Sequence, residues 1–274
     1  MPKVSIIIPH FNIPHKLVNL LNTIPQREEI EVIVVDDVST ERLEEYEQVK
    51  KDYPWVTYLQ NTPDNKGLGG ARNCGMDICK GDWIFFADAD DYFLDNLWET
   101  FEPYMDSDYD IVYLPPYAVY EGTQITSNRY VPFATLCLDY CNKEGDRRRE
   151  ELCLKKDFVV AWSKLYRRDF IEDNHFRFET VAISEDMMWS ARTGTKAKKV
   201  TASYMMTYVV TDSNDSWTKH NDPKKTALQE LQQRRYQQYW DEHMSFEDLT
   251  IYHRLGIKGR MEMRLRKLFL HSAK

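Results

Sequence analysis

The first half of the chain alternates short apolar runs with longer amphipathic segments. The apolar runs are rich in β-branched and aromatic residues, which is typical of strands. They are VSIII (4–8), EVIVVDD (31–37), VTYLQ (56–60), WIFFA (83–87) and DIVYL (110–114). Between them, apolar residues recur at three- and four-residue spacings, which predicts helices. Because the first two runs lack polar alternation, we expect a mainly parallel α/β sheet with helices on both faces.

The second half of the sequence is less regular. YAVYEG (117–122) has the composition of a strand, and residues 159–174 predict a strand that turns into a helix. Residues 198–210 are expected to return to the sheet as a strand. From Pro223 onward the spacing of apolar residues predicts helix.

Residues that begin or end helices add detail to this pattern. Ser39 or Thr40 is a suitable N-cap for the second helix, because a side-chain oxygen there can accept a backbone N–H. A short helix is expected to begin at Ser184 and to stop at Gly194. Both boundaries are predictions that the fold can test.

Composition and charge narrow the function classes. The 274 residues suit one large domain, or a domain with a substantial appendage. A net charge of −8 argues against a general nucleic-acid coat, and five scattered cysteines predict reduced thiols. No run of eighteen apolar residues occurs, and Val4–Ile8 is too short for a signal peptide. We therefore expect a cytoplasmic protein.

Carboxylates follow two of the predicted strands. Asp36 and Asp37 come after the second run, and Asp88, Asp90 and Asp91 come after the fourth. Ligands of such sheets bind beyond the carboxyl ends of the strands, so these side chains are expected to meet at one edge. Asp88 and Asp90 alternate on an extended segment, and such a pair can hold Mg²⁺ or Mn²⁺ together with phosphate oxygens. A polar turn that caps the next helix is the alternative.

Two further motifs suggest chemistry at the same edge. NKGLGGARNCG (65–75) follows the third strand; its glycines allow close backbone approach, and Lys66 and Arg72 carry charge suited to a diphosphate. The motif has neither P-loop nor G-x-G-x-x-G spacing, and a flexible turn is the alternative. Glu185 and Asp186 open the predicted short helix, where acidic residues also favour the helix dipole.

Five segments, taken in order, resemble the family 2 glycosyltransferases of the GT-A fold. They are VSIIIPHFN, VIVVDDVST, NKGLGGARNCGMDICKGDWIFFADADD, WSKLYRRDFI and ISEDMMWSAR. In the second segment Val38 stands where that family usually has Gly. The resemblance covers roughly residues 3–210.

The resemblance implies a fold and a domain plan. We expect an α/β GT-A fold, with a mainly parallel central sheet, flanking helices and a helical C-terminal extension. The glycosyltransferase domain would span residues 1–220, with a nucleotide-binding half at 1–115 and an acceptor-binding half at 116–220. The extension would span 221–274.

The resemblance also implies an activity: inverting transfer of a sugar from a nucleotide-diphosphate donor, with a UDP-sugar favoured. The acceptor would be a glycan or lipid-linked hydroxyl in surface polysaccharide biosynthesis. The implied donor-nucleotide residues are Pro9, Phe11, Asn12, Asp37, Lys66, Arg72 and Asp88. The implied metal ligand for Mg²⁺ or Mn²⁺ is Asp90, with Asp88 and His220 as further candidates. Asp186 would be the general base, with Glu185 beside it.

Two other functions and one ambiguity stay open. A nucleotidyltransferase also binds nucleotide and metal on an α/β sheet, and a non-catalytic sugar-nucleotide binding homologue would share the same motifs. The basic stretch 253–274 forms an amphipathic pattern that suits either peripheral contact with an anionic inner membrane face or packing on the domain.

Overall fold

The structure is a computed structural model that describes residues 1–213 and 222–254. The strands within these ranges are β1 (Val4–His10), β2 (Ile30–Asp36), β3 (Thr57–Gln60), β4 (Trp83–Phe86), β5 (Tyr92–Phe93), β6 (Ile111–Tyr113), β7 (Tyr117–Tyr120), β8 (Lys164–Arg167), β9 (Val200–Ala202) and β10 (Tyr208–Asp212). The α-helices are α1 (Pro14–Asn22), α2 (Leu43–Asp52), α3 (Leu68–Met76), α4 (Leu97–Phe101), α5 (Val131–Asn142), α6 (Arg148–Asp157), α7 (Arg168–Asp173), α8 (Glu185–Lys196), α9 (Pro223–His243) and α10 (Phe246–Tyr252).

Seven strands form the central sheet in the order β3-β2-β1-β4-β8-β6-β9. Neighbouring strands are parallel except where β8 pairs with β4 and β6, to which it runs antiparallel. The predicted mainly parallel α/β sheet is therefore confirmed. Because β1, β2 and β4 are parallel neighbours, their carboxyl ends meet at one edge, as the sequence predicted.

Helices cover both faces of this sheet, as expected from the unbroken apolar runs. Ile6 and Ile8 of β1 pack into a core cluster with α1 and α2, whereas Ile7 faces a second cluster with α3 and α8. All three side chains are fully buried. Burial of such a side chain stabilises the fold by about 1.5–3 kcal/mol, so β1 anchors both layers.

The described part of the C-terminal extension packs on the domain. Side chains of α9 and α10 share a third cluster with α6 and α8; its buried members are Leu152, Ala191, Tyr236, Trp240, Met244 and Leu249. No helix within residues 1–213 and 222–254 is both long and apolar enough to cross a bilayer. The predicted boundary at residue 220 and the basic stretch from residue 255 onward lie outside the described residues.

Two predicted boundaries differ from the structure. Neither Ser39 nor Thr40 caps α2, which begins at Leu43 after Arg42. Instead, the Ser39 hydroxyl donates to the Asp36 carboxylate, which is buried and needs donors. The single strand predicted over 198–210 is two strands in different sheets, since β9 joins the central sheet and β10 joins the small sheet β5-β10-β7.

Gly194 does not end the short helix. Helix α8 runs on to Lys196, and Gly194 lies inside it against α6. A Cβ at this position would lie 2.5 Å from the carbonyl oxygen of Lys155. Glycine is therefore required here for close packing of two helices, and the prediction of a stop signal was wrong. Ser184 does precede the helix, as predicted, but its side chain makes no capping bond.

Val38 adopts a left-handed backbone conformation with φ of 60°. This region is strained for a β-branched residue, which explains why glycine usually stands at this position in the family that the sequence resembles. The strained peptide follows the Asp36-Asp37 pair directly. Strain of this kind persists only where surrounding contacts hold the backbone in place.

Replacing Val38 with Gly removes this strain, and we expect the variant to be as stable as the parent or more stable by up to about 1 kcal/mol. Urea unfolding measures the change. The matched control is Val18→Gly in helix α1, which should lose about 1 kcal/mol or more because glycine weakens a helix interior. A loss in Val38→Gly as large as that in Val18→Gly would contradict the prediction.

Candidate donor-binding and catalytic site

A cleft of about 390 Å³ opens beyond the carboxyl ends of β1 and β4. Its walls include the carboxylates of the predicted D-x-D motif and two cationic side chains. The lining residues are Pro9, Phe11, Ile13, Lys16, Leu68, Asp88, Ala89, Asp90, Asp91, Arg129, Val210, Thr211 and Ser213. The cleft therefore lies where the strand ends predicted a ligand site.

Arg72 joins three carboxylates, one of which, Asp88, lines this cleft. Its Nη1 donates to Glu185 and to Asp186, at 2.7 Å each, and its Nη2 donates to Asp88 at 2.8 Å. The Arg72 side chain is 1% exposed, whereas Asp88 and Asp186 keep 28% and 18% exposure. One buried cation thus brings the D-x-D motif and the start of α8 together.

The charges of this cluster shift the proton affinities of its members. Burial alone lowers the pKa of Arg72, but the three carboxylates outweigh burial and raise it, so the guanidinium stays charged. Burial raises the pKa of Asp186 to about 7, although the Arg72 guanidinium opposes the shift. The Asp186 carboxylate therefore gains and loses a proton near neutral pH.

Asp90 carries the charge that could hold a metal ion. Within residues 1–213 and 222–254, no other side chain forms a hydrogen bond or ion pair with its carboxylate. Burial and the charge of Asp88 raise the pKa of Asp90, which marks a site where negative charge is under-compensated. Carboxylate oxygens suit Mg²⁺ or Mn²⁺, so these two residues fit a divalent cation.

The protein supplies only part of a coordination shell here. Among the described residues, no group of three or more His, Cys, Asp or Glu side chains is arranged to hold an ion. Mg²⁺ is commonly bound by one or two carboxylates together with substrate phosphates and water, so a bound diphosphate would supply the missing oxygens. His220, a further candidate ligand, lies outside the described residues.

Asp91 ties the D-x-D turn to β10. The Tyr208 hydroxyl donates to Asp91 at 2.6 Å and accepts the backbone N–H of Asp88 at 2.8 Å, and the Thr211 N–H donates to Asp91 as well. Burial and the neighbouring carboxylates Asp90 and Asp88 raise the pKa of Asp91 well above its usual range. Asp91 therefore holds the turn in place and leaves Asp88 and Asp90 facing the cleft.

Asp37 connects β2 to the glycine-rich segment. Asn61 donates to its carboxylate at 2.7 Å, and the backbone N–H of Gly67 lies 2.9 Å from both oxygens. Gly67 has φ of 126°, which places its N–H in a turn that other residues rarely adopt. Asp37 is 5% exposed and is not among the residues that line the cleft, so its contact with a nucleotide base stays a prediction.

The first-strand turn supplies an aromatic wall. Phe11 is 40% exposed, and the Lys66 ammonium lies 4.5 Å from its ring centre. Asn12, predicted to contact the nucleotide, uses its side-chain oxygen to accept the N–H groups of Thr40 and Glu41. The structure thus places Lys66 against Phe11, which lines the cleft, and the Asn12 side chain holds the loop at Thr40 and Glu41.

Sequence reasoning missed three residues that help to form the site. Lys16 and Arg129 line the cleft on the side of Asp90, and Lys16 also pairs with Glu121 at 2.6 Å. Tyr208 was counted only as part of a strand. Lys16 lies in an ordinary amphipathic helix and Arg129 in the irregular second half, so no local pattern distinguishes either from a solvated surface residue.

The strand order and these acidic strand ends define the class of the protein: it has the GT-A glycosyltransferase fold. The profile of Glycosyl transferase family 2 matches residues 5–174. The chain belongs to this family, as the sequence motifs indicated.

Curated relatives agree with this assignment. A poly(ribitol-phosphate) β-glucosyltransferase of Bacillus spizizenii is 30% identical over 210 residues, which cover 73% of this chain and 31% of the relative. The poly(ribitol-phosphate) β-N-acetylglucosaminyltransferase TarP of Staphylococcus aureus is 25% identical, with coverage of 79% and 65%. The chain thus spans about a third to two thirds of the length of these relatives.

Solved structures share the fold. Residues 1–349 of TarS from S. aureus, in complex with UDP-GlcNAc, match with a TM-score of 0.68 at 18% identity, over 91% of this chain and 70% of that chain. The mannosyltransferase PcManGT from Pyrobaculum calidifontis, in complex with GDP-Man and Mn²⁺, matches with a TM-score of 0.54 at 14% identity. That match covers 93% of this chain and 65% of PcManGT.

Removing the buried cation should destabilise the protein strongly. Arg72→Met leaves three carboxylates without their common partner, and we expect a loss of about 3–5 kcal/mol in urea unfolding at neutral pH. Without Arg72, which opposes the upward shift, the folded-state pKa of Asp186 rises further, so protonation of Asp186 relieves part of the loss as pH falls. The difference in unfolding free energy between variant and parent should therefore become smaller as the pH is lowered from about 7.5 to about 5.5.

The matched control for Arg72→Met is Arg177→Met. Arg177 pairs with Asp77 and Glu172, each at 3.2 Å, but its side chain is 37% exposed. Exposed ion pairs contribute at most about 1 kcal/mol, so this variant should stay close to the parent at both pH values. Equal losses of unfolding free energy in the two variants would show that the Arg72 cluster contributes no more stability than an exposed ion pair.

Proposed function

We propose that the protein is an inverting glycosyltransferase that moves a sugar from a UDP-sugar to a hydroxyl group of a surface polymer. The observation that carries this proposal is the Arg72 cluster, in which one buried cation holds Asp88 of the D-x-D motif and Asp186 of α8. The cluster links the edge of the donor cleft to a carboxylate suited to proton transfer.

Asp186 is the general base in this proposal. Its side chain keeps 18% exposure against 8% for Glu185, so a substrate hydroxyl reaches it more readily. Burial raises the pKa of Asp186 to about 7, which makes it a better proton acceptor than an ordinary aspartate at physiological pH. Glu185 shares the Arg72 Nη1 and orients the start of α8.

The chemistry of inversion needs few groups. The acceptor oxygen attacks the anomeric carbon of the sugar, the bond to the diphosphate breaks, and Asp186 takes the proton of the attacking hydroxyl. Positive charge develops at the sugar ring while the leaving diphosphate gathers negative charge. No covalent sugar intermediate and no nucleophilic Ser or Cys is required, which agrees with one base at the site.

The donor half of the proposal rests on the cleft. Phe11 offers an exposed ring for a base, and Asp88 on the cleft wall offers an acceptor for the ribose, while Asp37 is the predicted acceptor for the base. Asp90, with Asp88 beside it, would hold Mg²⁺ or Mn²⁺, and a bound cation supplies charge stabilisation for the leaving diphosphate. Lys16 and Arg129 add positive charge to the same wall.

The relatives guide the choice of substrates. UDP-GlcNAc is bound in the TarS structure that shares this fold, which favours a UDP-sugar donor. Two curated relatives act on poly(ribitol-phosphate), which favours a polyol-phosphate or polysaccharide acceptor. The cytoplasmic location expected from the sequence stays a prediction.

A nucleotidyltransferase is the second candidate, and one observation weighs against it. Such an enzyme would carry a Gly-rich, basic phosphate-binding segment directly after β1, whereas Phe11 and Asn12 follow here. A non-catalytic sugar-nucleotide binding homologue is the third candidate. The raised pKa of Asp186 favours catalysis over binding alone.

Replacing the proposed base separates catalysis from binding. Asp186→Asn should lower kcat for UDP release with poly(ribitol-phosphate) as acceptor by about 100- to 10,000-fold. Affinity for the UDP-sugar, measured by calorimetry, should stay within about threefold because the donor cleft is intact. In the parent, kcat/KM should fall as pH drops below about 7, since only the ionised form of Asp186 accepts a proton.

The control for Asp186→Asn is Asp173→Asn at the end of helix α7, which follows the end of β8 beside the start of β4, at the opposite edge of the sheet from the D-x-D motif. This variant should keep the parent rate and the parent pH profile. Full activity of Asp186→Asn would rule out the assignment of the base. Loss of donor binding in that variant would point instead to a structural role.

Replacing Asp90 tests the metal. A thermal-shift panel of UDP-, GDP-, CMP- and dTDP-sugars, each with and without Mn²⁺, should show stabilisation by the UDP-sugar that grows when Mn²⁺ is present. Asp90→Asn should weaken Mn²⁺-dependent donor affinity by about tenfold or more, because one metal-binding charge is lost.

Asp95→Asn is the matched control for Asp90→Asn, because Asp95 follows the same turn but is exposed. It should keep the Mn²⁺-dependent shift. Donor affinity that does not change with Mn²⁺ in the parent would contradict the metal role. Stabilisation by a sugar nucleotide other than the UDP-sugar would correct the donor and leave the reaction class in place.

A further inference from the structure

Lys164 is a buried lysine that the proposed reaction does not use. It begins β8, is 1% exposed, and its ammonium donates to the Phe158 carbonyl at 2.6 Å and to the Ser190 hydroxyl at 3.3 Å. Within residues 1–213 and 222–254 no carboxylate forms an ion pair with it. Burying an ammonium costs several kcal/mol, so a lysine retained here calls for an explanation.

The contacts of Lys164 connect a loop to helix α8. Ser190, which accepts from Lys164, donates in turn to the carbonyl groups of Val159 and Val160, at 2.9 and 3.3 Å. Ser190 lies four residues after Asp186, so both side chains lie on the same face of the helix. Lys164 and Ser190 therefore fasten the loop 158–163 to the helix that carries the base.

This loop also meets Asp186 directly. The backbone N–H of Ala161 faces the Asp186 carboxylate and stabilises its ionised form. The loop ends at Ser163, whose backbone is left-handed with φ of 58° and whose hydroxyl donates to the Leu114 carbonyl. A strained loop keeps its shape only when neighbouring bonds hold it, and Lys164 supplies one of them.

The charge of Lys164 acts on Asp186 as well. Burial lowers the pKa of Lys164 to about 7, and the nearby Asp186 opposes that shift, as does Cys137 of α5 to a smaller degree. Three other charged groups act on Asp186: Arg72 of α3, Asp88 after β4, and Glu185 of α8 itself. The aromatic neighbours of Lys164 are the rings of Phe158, Tyr113 and Tyr166, at 4.8, 5.2 and 5.8 Å.

We propose that Lys164 is a positioning residue for Asp186: it fastens the loop 158–163 to helix α8, and its protonated ammonium favours the ionised form of the nearby carboxylate. The inference rests on the proposed function, because it assigns a role relative to the base. A purely structural lysine would be replaceable by an apolar side chain of the same length, since that exchange removes a buried charge.

The test is Lys164→Met, which keeps the length of the side chain and removes the charge. The difference in unfolding free energy between the parent and Asp186→Asn, followed over pH, reports the protonation of Asp186 without any substrate. In the Lys164→Met background, the midpoint of this difference should move to higher pH by about half a unit or more, because a positive charge that favours the ionised form is gone.

Kinetics provide the second readout. Lys164→Met should lower kcat for UDP release by about tenfold while the donor KM stays within about twofold, because the donor cleft is untouched. The acid limb of the pH profile of kcat/KM should move to higher pH by the same amount as the Asp186 midpoint. Lys164→Arg, which keeps a positive charge, should restore the midpoint and part of kcat.

Two further variants guard against a simple folding defect. Lys156→Met is the matched control. Lys156 of α6 is 7% exposed and its ammonium lies over the ring of Tyr252 on α10, so its loss should leave the Asp186 midpoint unchanged. Ser190→Ala suits the helix and removes only the hydroxyl that links Lys164 to the loop. It should shift the midpoint upward by a smaller amount, even if Lys164→Met does not fold.

The outcomes separate this inference from the proposed function. An Asp186 midpoint that stays within about 0.2 pH unit of the parent in both Lys164→Met and Ser190→Ala overturns the positioning role. A shifted midpoint together with full activity of Asp186→Asn keeps the link between Lys164 and Asp186 but overturns the assignment of Asp186 as base.

Discussion

The structure depends on one buried guanidinium that is shared by three carboxylates. Arg72 is almost fully enclosed, and its hydrogen bonds end on Asp88, Glu185 and Asp186. A charge in this position would be costly alone, and three carboxylates crowded together would repel each other. The guanidinium and the carboxylates therefore offset each other's cost of burial and repulsion. The arrangement exists only while α3, the end of β4 and the start of α8 stay together. The same cluster leaves Asp186 partly exposed, and among the described residues no other side chain forms a hydrogen bond with Asp90, so the stability of this region and its electrostatics have a common origin.

Around this cluster, polar residues mostly brace other polar residues. Tyr208 holds Asp91 so that the D-x-D turn keeps its shape, and Asn61 holds Asp37 against the glycine-rich segment. Residues that motif matching would assign to a ligand can thus have a structural partner already. Asn12 is the clearest case, because its side-chain oxygen accepts two backbone N–H groups. The side chains left to contact a ligand are those that line the cleft.

Much of the fold was predictable, and the failures have identifiable causes. The strands that form the sheet centre were read correctly because buried parallel strands are continuous apolar runs. The Ser39 cap was wrong because the Ser39 hydroxyl bonds to Asp36, three residues earlier, instead of to the helix. The Gly194 stop was wrong because glycine there allows close approach to the Lys155 carbonyl of α6, a tertiary contact. The residue pattern over 198–210 could not show that the chain changes sheets between β9 and β10, because the pairing partners lie elsewhere in the sequence.

The sequence by itself determined the β-α alternation, the edge at which carboxylates collect and the family to which the chain belongs, because local apolar patterns and short motifs encode all three. Only the tertiary structure decided what Arg72 does. Its carboxylate partners on α8 lie 113 and 114 residues away, and no local pattern encodes a contact over that distance. The same holds for Lys164: its sequence neighbours identify a strand, whereas its burial and its bond to Ser190 arise from the packing of β8 against α8. Long-range contacts converted a set of motif residues into one electrostatically coupled site.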